Sequence, residues 1–145
     1  MLRPQFLNGI KLLGKYDYSY DILVFPHQLG SVLELTKKFP NQKFVIDHIG
    51  KPYIFDNFYY GWATLIKEIG KQENVYCKFS GMITEADHKN WKKEQIEPYM
   101  DLVMESFGSR KLMFGSDWPV CLIAGNYSEV KKLVTDFISS YSLNE

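Results

Sequence analysis

At positions 43–48 the chain reads Lys43-Phe44-Val45-Ile46-Asp47-His48, an apolar run that ends in two polar residues. A run without apolar–polar alternation predicts a strand buried on both faces, as in a parallel sheet covered by helices. Three further runs rich in β-branched and aromatic residues lie at positions 20–25, 75–80 and 111–117. The sequence therefore predicts four strands.

Segments of helical periodicity alternate with these strands. They lie at positions 5–13, 31–39, 59–69, 91–107 and 130–138. Strict alternation with short loops implies parallel strands joined by right-handed crossovers, with helices against the sheet. This α/β pattern is compatible with two architectures, a doubly wound sheet or part of a (β/α)8 TIM barrel.

Two observations favour the barrel. No Gly-x-Gly-x-x-Gly or Gly-x-x-x-x-Gly-Lys-[Ser/Thr] motif follows any strand, so the usual sequence support for a doubly wound nucleotide-binding sheet is missing. The strand ends near 25, 48, 80 and 117 are separated by 23, 32 and 37 residues, close to the ~31 expected for each unit of an eight-unit barrel. We therefore predict a (β/α)8-type fold with only about four βα units, forming one domain over residues 1–145.

Polar residues end the predicted strands, at the level where barrel enzymes carry their chemistry. Alternation along the strands puts His48 on the face of Phe44 and Ile46, and Asp117 on the face of Met113. If both faces point into the barrel, His48 and Asp117 converge. An imidazole can ligate a metal or polarise a carbonyl group, and a carboxylate can take a proton from water. The structural alternatives are a hydrogen-bonded framework histidine and an aspartate that accepts backbone N–H groups in a turn.

Lys78 is unusual within a predicted strand, because an ammonium group is costly to bury without a partner. Either Lys78 contacts a carboxylate or another anionic group in a pocket, or the strand faces solvent at this point.

Charge and cysteine content limit the partners and the compartment. The chain has 17 Lys and Arg and 17 Asp and Glu, so its formal net charge is zero and it has no long-range field to attract nucleic acid or an anionic membrane. No apolar run is long enough to span a bilayer. Cys77 and Cys121 lack the spacing of a metal site and are typical of reduced thiols, so we expect a cytoplasmic protein.

Four blocks of sequence, in order, closely resemble the lactonases of the amidohydrolase superfamily, the family of L-fuconolactonase and L-rhamnono-lactonase. The blocks are Tyr20-Asp21-Ile22-Leu23-Val24, then Phe44-Val45-Ile46-Asp47-His48-Ile49-Gly50-Lys51-Pro52, then Cys77-Lys78-Phe79-Ser80-Gly81, then Met113-Phe114-Gly115-Ser116-Asp117-Trp118-Pro119-Val120-Cys121. The resemblance implies a (β/α)8 barrel that hydrolyses a sugar-acid lactone by attack of water on the ring carbonyl.

The resemblance also implies roles for individual residues. His48 would bind a metal or polarise the carbonyl, and Asp117 would be the general base toward water. Both would be the metal ligands if a divalent metal, zinc in the first instance, is used. Lys78, Trp118 and His27 are expected to contact the substrate.

One departure from the family is large. Its members carry a His-x-His pair on the first strand, whereas the histidines here are His27, His48 and His88. Aligned with the family, residues 1–145 are the C-terminal half of the barrel, with strands five to eight. We therefore expect two unpaired edge strands and an uncovered apolar inner layer, to be closed by a complementing N-terminal half or in a homo-oligomer. Whether the chain is an enzyme stays open, and the alternative is a non-catalytic remnant that acts as an oligomeric or interaction module.

Overall fold

A computed structural model describes residues 1–141, in which helices and strands alternate along the chain. The helices are α1 (Pro4–Lys15), α2 (Leu29–Lys38), α3 (Tyr60–Gly70), α4 (Lys93–Phe107) and α5 (Tyr127–Ile138). The strands are β1 (Tyr20–Ile22), β2 (Phe44–Ile46), β3 (Val75–Phe79) and β4 (Leu112–Phe114). The predicted alternation of helices and strands is confirmed, although β1, β2 and β4 are shorter than their apolar runs.

The four strands form one parallel sheet in the order β1-β2-β3-β4. Each strand therefore pairs with the next strand of the chain, for example Ile46 with Cys77 between β2 and β3. A doubly wound sheet would reverse its strand order at a switch point, whereas successive βα units of a barrel keep the chain order. The α/β fold is thus the (β/α)8 type, represented by four units.

One face of the sheet forms the main core. The side chains of Phe44, Ile46, Val75 and Cys77 are fully buried and belong to one hydrophobic cluster with side chains of the helices. The helix residues in this cluster include Leu35, Trp62, Ile66, Ile69, Met100 and Val103. Burial of this apolar area is the main force that holds the helices against the sheet.

The opposite face is only in part the apolar layer that the sequence predicts. Leu23 and Met113 are exposed there, but the centre of the face holds an ionic cluster in which Lys78 bonds Asp21 and Asp47. In the part of the chain that the structure describes, β1 and β4 each pair along one side only, as expected for half a barrel.

Among residues 1–141, none of the helices has the length and apolar character needed to cross a membrane.

The contact between α3 and α4 is tight enough to test with a single methyl group. A Cβ at Gly70 would lie 2.6 Å from the backbone oxygen of Ser106, whereas a Cβ at Gly9, in exposed α1, would meet nothing within 4 Å. We expect Gly70→Ala to lower the free energy of unfolding by about 1–3 kcal/mol because α4 must move. Gly9→Ala should raise the free energy of unfolding by up to about 1 kcal/mol, because alanine favours the helix more than glycine does. Urea denaturation measures both, and equal stability of the two variants would contradict this packing.

Candidate active site

A left-handed turn follows β2 and carries His48. Four successive residues have positive φ angles, which are 54° at His48, 48° at Ile49, 72° at Gly50 and 47° at Lys51. Only glycine adopts this region readily, and other L-residues lose roughly 1–2 kcal/mol each. For a β-branched residue such as Ile49 the conformation is rare. Such a turn persists only where the surrounding structure enforces it.

Contacts from α2 and α3 enforce the turn. The indole Nε1 of Trp62 donates a hydrogen bond of 2.8 Å to the carbonyl oxygen of Ile49, and both side chains are fully buried. Gly50 is required for close approach, because a Cβ there would lie 3.2 Å from Leu29 and 3.3 Å from Ile66.

An ion pair closes the turn at its far end. The ammonium group of Lys51 pairs with the carboxylate of Glu85, which lies in the loop after β3. The backbone N–H of Lys51 also donates to the carbonyl oxygen of His48 at 2.8 Å. These contacts fix the backbone that follows the His48 side chain.

The imidazole of His48 is held by Ser80, which directly follows β3. The Nδ1 atom of His48 lies 2.9 Å from the Oγ atom of Ser80, whose side chain is buried. A hydroxyl group can donate or accept, so Ser80 can satisfy either neutral tautomer of the ring. When Ser80 donates to Nδ1, the ring proton lies on Nε2 and faces away from Ser80.

Asp117 lies on the Nε2 side of this ring. It follows β4 with a φ of 58°, and its Oδ1 atom is 3.6 Å from Nε2 of His48. Its Oδ2 atom accepts a hydrogen bond of 3.3 Å from the hydroxyl of Thr84. The side chains of His48 and Asp117 are 20% and 11% exposed, so the pair is largely shielded from solvent.

His48 and Asp117 therefore meet, but not for the reason that strand alternation suggests. Phe44 and Ile46 are buried on the helix side of the sheet, whereas Met113 lies on the opposite face, so the predicted shared inward face is wrong. The left-handed turn redirects His48 after the strand has ended. The alternative in which the Asp117 carboxylate caps backbone N–H groups is not what the structure shows, because this carboxylate faces His48 and Thr84.

Lys78 contacts carboxylates, which is one of the two possibilities that the sequence left open. Its Nζ atom lies 2.6 Å from Oδ2 of Asp21 and 2.8 Å from Oδ1 of Asp47. Burial alone would lower the pKa of Lys78, but the hydrogen bonds and charges of Asp21 and Asp47 outweigh it and raise the pKa above its ordinary value. Lys78 is therefore charged at neutral pH. The expected contact between Lys78 and substrate stays a prediction.

The two other expected substrate residues, His27 and Trp118, lie on the surface of the chain. His27 is exposed, stacks on Phe25 with ring centroids 6.1 Å apart, and lies 3.4 Å from the hydroxyl of Tyr53. Trp118 is 65% exposed and precedes a cis peptide bond to Pro119. Their roles as substrate contacts stay predictions.

Sequence reasoning missed the residues that orient the pair. Ser80 is visible as a polar residue at a strand end, but nothing in the sequence pairs it with His48. Thr84 lies in a loop without periodicity, and its contact with Asp117 spans 33 residues. Gly81 is the one clear signal, since a glycine after a strand often marks a close approach.

Comparison of the sequence with models of protein families identifies the family of this chain. A model of the amidohydrolase family, described as "Amidohydrolase", matches residues 2–137. The chain belongs to the amidohydrolase family. It is 38% identical over 144 residues to an L-fucono-1,5-lactonase of Burkholderia multivorans, a match that covers 93% of this chain and 49% of that protein. It is 27% identical over 148 residues to an L-rhamnono-gamma-lactonase of Scheffersomyces stipitis, covering 89% of this chain and 44% of that one.

A solved structure supports the same relationship. This amidohydrolase chain matches a crystal structure of an amidohydrolase from Burkholderia multivorans with bound zinc at a TM-score of 0.93 and 38% identity. The match covers 98% of this chain and 52% of the other. The chain thus spans about half the length of the relatives it matches.

That relative binds zinc in its crystal structure. A catalytic zinc normally takes three protein ligands. Across residues 1–141, no group of three or more His, Cys, Asp or Glu side chains is placed to hold a metal ion. His48 and Asp117 alone therefore do not fit a catalytic zinc site.

The approach of Gly81 to the imidazole gives a test of this site. A Cβ at Gly81, where φ is +64°, would lie 2.7 Å from three atoms of His48, whereas a Cβ at Gly108, where φ is +70°, would meet nothing within 4 Å. Both alanine variants carry positive-φ strain, but only Gly81→Ala should displace the ring. We expect Gly81→Ala to shift the ring ¹H–¹⁵N signals of His48 and Gly108→Ala to leave them in place. Unchanged His48 signals in a folded Gly81→Ala variant would contradict this geometry.

Proposed function

We propose that this chain forms the C-terminal half of a lactone-hydrolysing amidohydrolase barrel and supplies two catalytic residues, His48 and Asp117. The observation that carries the proposal is the 3.6 Å separation between Nε2 of His48 and Oδ1 of Asp117, at the carboxyl end of the sheet. The carboxyl ends of the strands are where barrel enzymes place their active sites. The similarity to sugar-acid lactonases supports a lactone as the small-molecule substrate.

Asp117 can carry out both proton transfers of the reaction, and His48 can stabilise the charge that develops on the carbonyl oxygen. The Asp117 carboxylate accepts a proton from a water molecule, and the water oxygen forms a bond to the lactone carbonyl carbon. With Ser80 donating to Nδ1, the Nε2–H of His48 donates a hydrogen bond to the carbonyl oxygen as negative charge develops there. The ring C–O bond then breaks, and the departing alkoxide oxygen receives the proton held by Asp117. The hydroxy acid is the product.

Thr84 and Ser80 have supporting roles in this scheme. Thr84 donates to Oδ2 of Asp117, which leaves Oδ1 toward His48 for the water molecule. Ser80 keeps the ring oriented through Nδ1. Both contacts use groups that do not react, so they orient the pair before the substrate binds.

A complementing half would have to close the barrel before the site excludes bulk water. The edges of β1 and β4 and the face that carries Lys78 are the surfaces to be covered. We propose four further βα units as the complement, because the matched amidohydrolase structure is about twice as long. A metal in the completed site would need ligands from those units, since the described residues offer too few.

A non-catalytic interaction module is the second candidate. It is favoured by the same shortage of metal ligands among the described residues. The close pairing of His48, Ser80, Thr84 and Asp117 favours the catalytic proposal, because a module that only binds partners has no need of it.

The proposal is tested by assaying sugar-acid lactone hydrolysis with the chain alone and mixed with a polypeptide that supplies four N-terminal βα units. We expect turnover in the mixture. Asp117→Asn should lower the rate by about 10²–10⁴-fold, since the amide cannot accept the proton from water. The matched control is Asp136→Asn, which removes a carboxylate from an exposed pair with Lys132 and should leave the rate unchanged. Absence of turnover with folded components, or full activity of Asp117→Asn, would contradict the proposal.

A further inference from the structure

We infer that Lys78 is a positioning residue for His48 and acts through Asp47. This positioning role replaces the substrate contact that the sequence led us to expect for Lys78. The inference rests on the proposed function, because it concerns how the His48–Asp117 pair is kept in place. It follows from three features of the uncovered sheet face.

The first feature is the location of the ionic cluster. Lys78 lies on β3, and its ammonium group bonds Asp21 at 2.6 Å on the edge strand β1 and Asp47 at 2.8 Å directly after β2. One side chain therefore joins three neighbouring segments of the sheet. These contacts link residues that are 57 and 31 positions apart in the sequence.

The second feature is the position of Asp47 in the chain. Asp47 is the last residue before the left-handed turn and is covalently bonded to His48, where φ becomes positive. Trp62 fixes the middle of the turn at Ile49, and Lys51 fixes its end. The bond from Lys78 fixes its beginning. Loss of that bond would free the backbone at the point where the direction of the His48 side chain is set.

The third feature is charge. Asp21 and Asp47 bond the same nitrogen atom, so their carboxylates are close to each other and repel when the ammonium group is absent. The side chain of Asp47 is 18% exposed and that of Asp21 is 47% exposed, so water screens this repulsion in part, mainly from the side of Asp21. Removal of the charge of Lys78 should therefore push Asp47 out of place.

The same charges argue against Lys78 as a ligand for an anionic substrate. Two of its three N–H donors are used by carboxylates. The cluster of one ammonium and two carboxylates has a net charge of −1, which repels an anion.

The test uses Lys78→Met, which keeps the apolar stem and removes the charge, with Lys78→Arg as the conservative variant. The first readout is the ring ¹H–¹⁵N spectrum of His48 in protein without substrate. We expect Lys78→Met to shift these signals and Lys78→Arg to restore most of the original spectrum. Lys43→Met is the matched control, because it removes an ammonium group from an exposed pair with Asp17 and should leave the His48 signals unchanged.

The second readout is turnover in the completed barrel. Lys78→Met should lower kcat by about 10–100-fold, the size of effect typical of residues that orient an active-site histidine. KM should stay nearly constant, because no substrate contact is lost. If Lys78→Met does not fold, Asp47→Asn replaces it, with a smaller shift of the His48 signals in the same direction.

Unchanged His48 signals in Lys78→Met, together with a raised KM, would overturn the inference and make Lys78 a substrate ligand. A shift of the signals in a protein without any lactonase activity would support the positioning role and count against the proposed function alone. Failure of the positioning role of Lys78 and failure of the proposed function therefore give different experimental results.

Discussion

The left-handed turn at residues 48–51 is the constraint on which the candidate site depends. Without it, the chain after β2 would continue as an extended strand and His48 would not meet Asp117. The turn is costly for Ile49, and buried contacts offset that cost, above all the hydrogen bond from Trp62 to the Ile49 carbonyl. The turn at residues 48–51 thus connects the hydrophobic core beneath α3 to the candidate site at the end of the sheet.

The site is assembled from consecutive units of the barrel. β2 supplies His48, the end of β3 supplies Ser80 and its loop supplies Thr84, and the end of β4 supplies Asp117. A parallel sheet in chain order places these segments side by side, so four units suffice to form the pair. Closure by further strands is needed for a different reason. In the proposed enzyme, closure covers the sheet edges and the ionic face and excludes bulk water.

The sequence predicts the architecture well because apolar runs and helical periodicity are local properties. It predicts the site only in part. His48 and Asp117 stand out as polar residues at strand ends. Strand alternation nevertheless places His48 on the wrong face of the sheet. Side chains alternate with a two-residue period only while the backbone stays extended, and φ is positive at His48. The partners of Lys78 and the bonds from Ser80 and Thr84 depend on contacts between distant segments, and no local pattern contains that information. The uncovered face also departs from expectation, because an ionic cluster occupies part of a presumed apolar layer.

The central claim is that the described half of the barrel holds His48 beside Asp117 before any second half or substrate is added. The decisive measurement is the set of nuclear Overhauser effects between the ring protons of His48 and the side chains of Asp117 and Ser80, recorded on this chain alone. We expect cross-peaks from the His48 ring to both side chains, together with a positive φ at His48 and Ile49. A His48 ring with cross-peaks only to β2 neighbours, on an extended backbone, would contradict it.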